Sequence, residues 1–239
     1  MNKSIKTIII TPEIKKGKLY KTVYILHGYS GNPTRTYEKD IPDLAKKSQE
    51  FETIYVLADG NYNSWYVDSS INENSQYSTF IGKELVNYID SHFPTIQNKK
   101  SRGILGWSMG GFGAVHIGTK YDQNFSVIGS TCGALDFTYF GENYKNYQVE
   151  DVLGLFEKLP SEYLVGNVAD KMKTADQIYI FDCGTEDELM IDLNRNFHKI
   201  LTSKKIDHLY TESLGKHDTA YWSKALSNQL CLFENYLQN

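Results

Sequence analysis

Apolar and polar positions along the chain fall into blocks, with short apolar runs rich in β-branched residues separated by stretches of helical spacing. "IKTIII", "KTVYIL", "ETIYVLA", "RGILGW", "FSVIGS", "QIYIFD" and "DHLYTES" read as strands. "RTYEKDIPDLAKKS" has helical spacing interrupted by Pro42. "STFIGKELVNYIDSHF" predicts a helix that buries Phe80, Ile81, Leu85, Tyr88 and Ile89 and stops before Pro94. "MGGFGAVHIGTKY", "DELMIDLNRNFHKILTSK" and "TAYWSKALSNQLCLFENYL" predict further helices. Most of the strand runs are short and do not alternate, as in a parallel sheet covered on both faces. The expected fold class is therefore α/β: a mostly parallel central sheet with helices on both faces, in one catalytic domain spanning residues 1–239. Residues 136–175 break the rhythm. They are polar and Tyr-rich with short helical pieces, and read as an excursion over the sheet edge, a minimal lid at most.

Composition narrows the function. The chain has 239 residues, is 41% hydrophobic and 23% charged, and carries a formal net charge of -4. It has no basic run or basic–aromatic stripe, so a nucleic-acid partner is not expected. No apolar stretch approaches the ~20 residues of a membrane helix, so no membrane partner is expected either. The start "MNKSIKTIII" has no long apolar segment of the signal-peptide kind, and the compartment stays open. The three cysteines, Cys132, Cys183 and Cys231, are widely spaced and form no zinc or redox motif, so no metal is expected.

The chemistry centres on "ILGWSMGGFGA". Gly106-Trp107-Ser108-Met109-Gly110 fits the G-x-S-x-G nucleophile elbow, a sharp strand-to-helix turn that lifts a serine hydroxyl clear of a sheet. Side chains two residues before and after the serine would collide across such a turn, which explains the flanking glycines. By composition alone the pattern recurs in roughly one chain in ten of this length. Its position directly between a predicted strand and a predicted helix gives it weight.

An elbow serine needs a histidine base and an acid, in the chain order Ser, then Asp or Glu, then His. Of six histidines, His27, His92 and His116 are out of order, His198 lies within a predicted helix and His208 opens a predicted strand. His217 follows the last strand in a loop before the final helix, where a base belongs. For the acid, "FDCGTEDELM" offers Asp182, Glu186, Asp187 and Glu188. The loop position favours Asp187 over Asp182 at the strand end, and Asp182 and Glu186 stay open beside it at this point. The oxyanion hole of such a site takes one N–H from the residue after the nucleophile, Met109, and one from the loop after an early strand. "HGYSG" supplies that loop and Tyr29 the N–H.

These stretches resemble a known family. "YILHGYSGN", "ADGNYNSWYVDS", "GWSMGGFGAVHIG", "FDCGTEDELMIDLNRNFHKIL" and "GKHDTAYWSKAL" are similar, in order and interval from about Thr22 to Leu237, to the esterase-D-like α/β-hydrolases. That family includes the feruloyl and acetyl xylan esterases of carbohydrate esterase family 1, tributyrin esterases, S-formylglutathione hydrolase and the mycolyltransferases. The resemblance implies Ser108 as nucleophile, Asp187 as acid, His217 as base, and Tyr29 and Met109 at the oxyanion positions. It also puts Trp65 where relatives have an aromatic at the cleft, so Trp65 is expected to bind substrate. Relatives usually have more strands before the "ILHG" strand than the single "IKTIII". "HDTAYW" is closer to the feruloyl and tributyrin esterases than to S-formylglutathione hydrolases. The implied activity is a cofactor-free serine carboxylesterase for short-chain acyl or hydroxycinnamoyl esters on carbohydrate, with a small molecule or oligosaccharide as substrate. The alternatives are a general acyl or thioester hydrolase, an acyltransferase, and, from another class, an inactive hydrolase fold used as a binding module. A homo-oligomer is compatible with each.

Overall fold

The computed structural model describes residue 1 and residues 3–238. Its sheet has seven strands: β1 (Thr7–Ile10), β2 (Lys21–Leu26), β3 (Thr53–Ala58), β4 (Arg102–Trp107), β5 (Val127–Thr131), β6 (Ile178–Gly184) and β7 (Leu209–Ser213). Their spatial order is β1-β3-β2-β4-β5-β6-β7, and all pair in parallel except β1, which runs antiparallel to β3 at one edge. Strands β2, β3 and β4 are buried along their whole length, which is why their apolar runs do not alternate. Successive side chains still point to opposite faces. Tyr24, Val56 and Ile104 enter a core beneath the helix Met109–Lys120, and Val23, Leu57 and Leu105 enter one beneath the closing helix Thr219–Tyr236.

The order places the site. The chain leaves β2 for β3 on one side and returns to β4 on the other, so the connections diverge above the carboxyl ends of β2 and β4. In open α/β sheets that divergence is where ligands bind. Leu26 pairs with Gly106 and Trp107 with Thr131, so the loops after β2 and β4 emerge side by side.

Three expectations need correction. The helix over 77–92 forms, but Phe80–Leu85 is a π-turn segment. Its wider turn rotates later residues around the axis. The buried residues are therefore Ile81, Leu85, Val86 and Ile89, while Tyr88 is 52% exposed and stacks on His92. The helix expected from "DELMIDL" begins only at Ile191, because the preceding residues form the turn that carries Asp187. Residues 136–175 are less peripheral than their polar composition suggests. Their Phe137, Phe140, Tyr144 and Tyr163 are buried in the same core as Phe112 of the Met109–Lys120 helix, with a longer helix at Val165–Thr174 closing the segment. The Pro42 interruption is as expected: a π-turn ends at Asp40 and a new helix starts at Leu44.

Candidate active site

Ser108 sits between β4 and the helix Met109–Lys120, with φ 54° and ψ -121°, a conformation rare for a residue with a Cβ. It is fixed from both sides. Its N–H donates to Thr131 O at 3.0 Å, and its carbonyl accepts from Phe112 N at 3.1 Å. The flanking glycines are obligatory for a spatial reason. A Cβ on Gly106 would lie 2.3 Å from Gly110 O, and one on Gly110 would lie 2.1 Å from Leu26 O. Both obstacles are backbone and cannot swing aside.

His217 reaches the serine from the loop after β7. Its Nε2 lies 3.0 Å from Ser108 Oγ, and its Nδ1 lies 2.7 Å from Asp187 Oδ2. A carboxylate only accepts, so in the neutral ring the proton sits on Nδ1 and the Nε2 lone pair faces the serine hydroxyl. Asp187 is fully buried, and its other oxygen accepts from Met190 N at 3.0 Å. The acid loop is laced to the histidine loop by Thr185 N to Ser213 O and Glu186 N to Gly215 O, both 2.9 Å. Burial works against the charged form of His217. The hydrogen bond and charge of Asp187, with Cys132 alongside, outweigh burial and push its pKa up to about 9.

The other acidic candidates lie elsewhere. Glu186 and Glu188 are exposed. Asp182 points from β6 toward the closing helix and accepts hydrogen bonds from Thr131 Oγ1 (2.7 Å), Tyr221 OH (3.1 Å) and Gln229 Nε2. Its burial raises its pKa to about 6.

Gly28 lies against the elbow: a Cβ there would be 3.4 Å from Ser108 Cβ and 3.1 Å from the Trp107 indole nitrogen. Among the described residues, neither Tyr29 N nor Met109 N has an acceptor. The Tyr29 loop is held from below by His27. Gly60 N donates to His27 Nε2 at 2.8 Å, which leaves the ring proton on Nδ1 to donate to Gly28 O at 2.8 Å. Tyr66 OH adds a bond to His27 O at 3.0 Å. His27 is thus a support for this loop, a role that chain order alone does not reveal.

Above Ser108 is a cleft of about 190 Å³. Tyr29, Arg35, Trp107, Tyr147 and Trp222 line it together with Ser108 and His217. Trp222 meets His217 edge-on, with ring centroids 5.1 Å apart. Trp65 is not part of this wall. It is 1% exposed, packed edge-on against Phe112, Phe137 and Phe140. Trp65 and Tyr66 both have positive φ, and the indole turns inward. The expectation that Trp65 meets substrate is corrected accordingly: its indole N–H donates to Tyr147 O at 2.9 Å, one layer behind the cleft. The sequence offered one signal for Trp222, which stands five residues after His217 in the first turns of the closing helix. It offered none for Arg35 or Tyr147.

Metal-ligating chemistry clusters at one place among the described residues. Cys132, Cys183 and Asp187 are buried with ligand atoms within 4.8 Å of one another. Both Asp187 oxygens are already engaged, by His217 and by Met190 N. Burial holds the Cys132 thiol well above its ordinary range, so it stays protonated. The cluster therefore reads as packing beneath the histidine.

The Esterase family model matches residues 1–233. An acetyl esterase of Caldicellulosiruptor saccharolyticus is 30% identical over 226 residues, 87% of this chain and 81% of that protein. Among solved structures, the fluorophosphonate-binding serine hydrolase FphF of Staphylococcus aureus is similar with a TM-score of 0.85 and 20% identity over 96% of this chain and 92% of its own. A ferulic acid esterase follows with a TM-score of 0.78 and 20% identity over the same shares, 96% and 92%. With an α/β-hydrolase architecture and this family match along nearly its whole length, the chain belongs to the Esterase family and is a carboxylic ester hydrolase.

Proposed function

We propose that the protein is a serine esterase of short-chain acyl or hydroxycinnamoyl esters, carried on carbohydrate, with Ser108, His217 and Asp187 as its triad. His217 takes the Ser108 proton as Oγ attacks the ester carbonyl. Tyr29 N–H and Met109 N–H stabilise the oxyanion, aided by the N-terminal end of the elbow helix. His217 then donates the proton to the departing alcohol. A water molecule, deprotonated by the same ring, hydrolyses the acyl-enzyme and frees Ser108. Asp187 holds the tautomer and stabilises the imidazolium through both steps.

The observation that carries this reading is the continuous chain Asp187–His217–Ser108, at 2.7 and 3.0 Å, ending beside a loop with two unengaged N–H groups. The cleft's modest volume and aromatic walls favour an acyl group from acetyl to a single ring over a long chain. The similarity to an acetyl esterase and to a ferulic acid esterase points to the same range. The intact hydrogen-bonded chain argues against an inactive binding module.

The test is Ser108→Ala with 4-nitrophenyl acetate, alongside labelling by a fluorophosphonate probe. Loss of the nucleophile should cost roughly 10⁴–10⁶ in turnover and abolish labelling, with an unchanged melt. Residual activity above a few per cent would overturn the assignment. Methyl ferulate and acetylated xylan, assayed on the wild type, set the acyl and carrier preference.

A further inference from the structure

Ester hydrolysis at this site does not call for a permanent cation. The oxyanion is met by N–H groups, and the positive charge on His217 is transient. Yet the cleft contains one. Among its lining residues Arg35 is the only side chain with a permanent charge. It is positioned with some care. Arg35 sits at the end of the short turn Pro33–Arg35, whose start is capped by Asn32 Oδ1 accepting from Arg35 N at 3.0 Å. The guanidinium then spans from the loop after β2 to the helix after His217.

Three contacts orient it. Nε lies 3.5 Å from Asp40 Oδ1, Nη2 donates to Thr219 Oγ1 at 3.2 Å, and the group lies over the Trp222 ring at 5.9 Å. Asp40 is itself buried, and neither of its oxygens has a hydrogen-bond partner among the described residues. Burial raises its pKa and the Arg35 charge works against that rise, with the carboxyl facing the guanidinium from the protein side. Nη1 has no acceptor among the described residues, and the side chain is 37% exposed. One edge of the fork is thus anchored in protein, and donor capacity remains for a ligand. Planar guanidinium donors suit carboxylate and other oxyanion groups.

Trp222 sets the spacing. One part of the indole meets His217 edge-on and another lies beneath Arg35. An aromatic or sugar ring resting on that wall would have its ester at Ser108 and its far substituent at Arg35. Resting on the serine-esterase reading above, we propose that Arg35 is a specificity-determining residue. It selects esters that carry an anionic oxygen group one ring away from the scissile bond, such as a carboxylated aryl or acidic sugar unit.

The experiment compares matched esters that differ only in that group. On the leaving-group side, 4-acetoxybenzoate is set against 4-acetoxybenzamide, with 4-acetoxybenzenesulfonate as a second anion. On the acyl side, mono-4-nitrophenyl terephthalate is set against its amide counterpart. The quantity read is the kcat/KM ratio of anionic to neutral ester, compared between wild type and Arg35→Gln, so that intrinsic leaving-group reactivity cancels. A charge-assisted hydrogen bond to a partly exposed guanidinium should shift this ratio by about tenfold in at least one pair. The sulfonate arm separates recognition of charge in general from the planar fit to a carboxylate.

Arg35→Lys keeps the charge and loses the fork, so it should retain part of the preference. The wild-type preference should also shrink as ionic strength rises. These two measurements decide the matter if Arg35→Gln proves unstable in a melt. Ratios that differ by less than about twofold between wild type and variants in both pairs, with no salt dependence, would overturn the proposal. If the neutral esters are still hydrolysed in a Ser108-dependent way, the esterase reading survives that result. If they are not, it is the esterase reading that fails.

Discussion

Replacing each of the two buried aspartates in "FDCGTEDELM", Asp182 and Asp187, separates catalysis from packing. In Asp187→Asn the side-chain carbonyl can keep the bond from Met190 N, so the turn survives. The new NH₂ then faces His217 Nδ1, where the carboxylate oxygen stood at 2.7 Å. Two donors cannot face each other, so the ring proton moves to Nε2 and the base loses the lone pair it aims at Ser108. The cost of such a tautomer error is about 10⁴ in kcat, or about 5.4 kcal/mol of transition-state stabilisation. Asp182→Asn is different. Three donors converge on Asp182, and an amide oxygen can satisfy only part of that set. An unsatisfied buried donor costs roughly 1–3 kcal/mol. Relief of a buried charge whose pKa is raised to about 6 offsets part of this at neutral pH. The expected result is a melt lower by several degrees at most, at about 2–4 °C per kcal/mol for a chain of this size, and a kcat within about tenfold of wild type. Both variants are assayed with 4-nitrophenyl acetate beside a thermal melt. Equal losses of kcat, or the larger loss at Asp182 with the fold intact, would refute the assignment of the acid.

The raised pKa of His217 makes a pH prediction. Activity needs the neutral ring, so the rate should rise with pH through an apparent pKa above the ordinary 6.5 and up to about 9. A limb at or below 6.5 would count against Asp187 as its partner. The same shift stabilises the fold fully below pH 6.5, and that contribution is lost as pH rises toward about 9. Trp65→Ala should cost about 3–5 kcal/mol and free the Tyr147 carbonyl, lowering the melt markedly while leaving the preference between acetyl and aromatic esters unchanged. A small change in melt with a selective rise in KM for the aromatic ester would return Trp65 to the binding surface.

Much of this was legible in the chain because local rules agree with the fold. Every predicted strand run is a strand, and the central β2, β3 and β4 read as unbroken apolar runs because they have no solvent face to alternate with. The elbow could be read because only glycine fits at Gly106 and Gly110, where backbone atoms stand far inside the contact distance of any Cβ. Chain order narrowed the choice of histidine to His217. The failures share a cause. Tyr88 departs from its expected burial because nothing in "FIGKEL" announces a π-turn, so an ideal 3.6 period puts it on the buried face. Trp65 was misplaced because its direction depends on two successive left-handed residues that are neither glycine nor asparagine. Arg35, Tyr147 and Trp222 line one cleft only after segments far apart in sequence converge. No periodicity along one segment encodes such a meeting.

The support behind Tyr147 has an evolutionary consequence. Ser108, Asp187 and His217 stand on loops tied to the carboxyl ends of the sheet by backbone hydrogen bonds, which substitutions of side chains hardly alter. Tyr147 instead belongs to a run of short turns between β5 and β6 and is pinned through the Trp65 indole. A lineage can therefore lengthen, shorten or recolour that run and reshape one wall of the cleft without touching the strand ends that hold Ser108, Asp187 and His217.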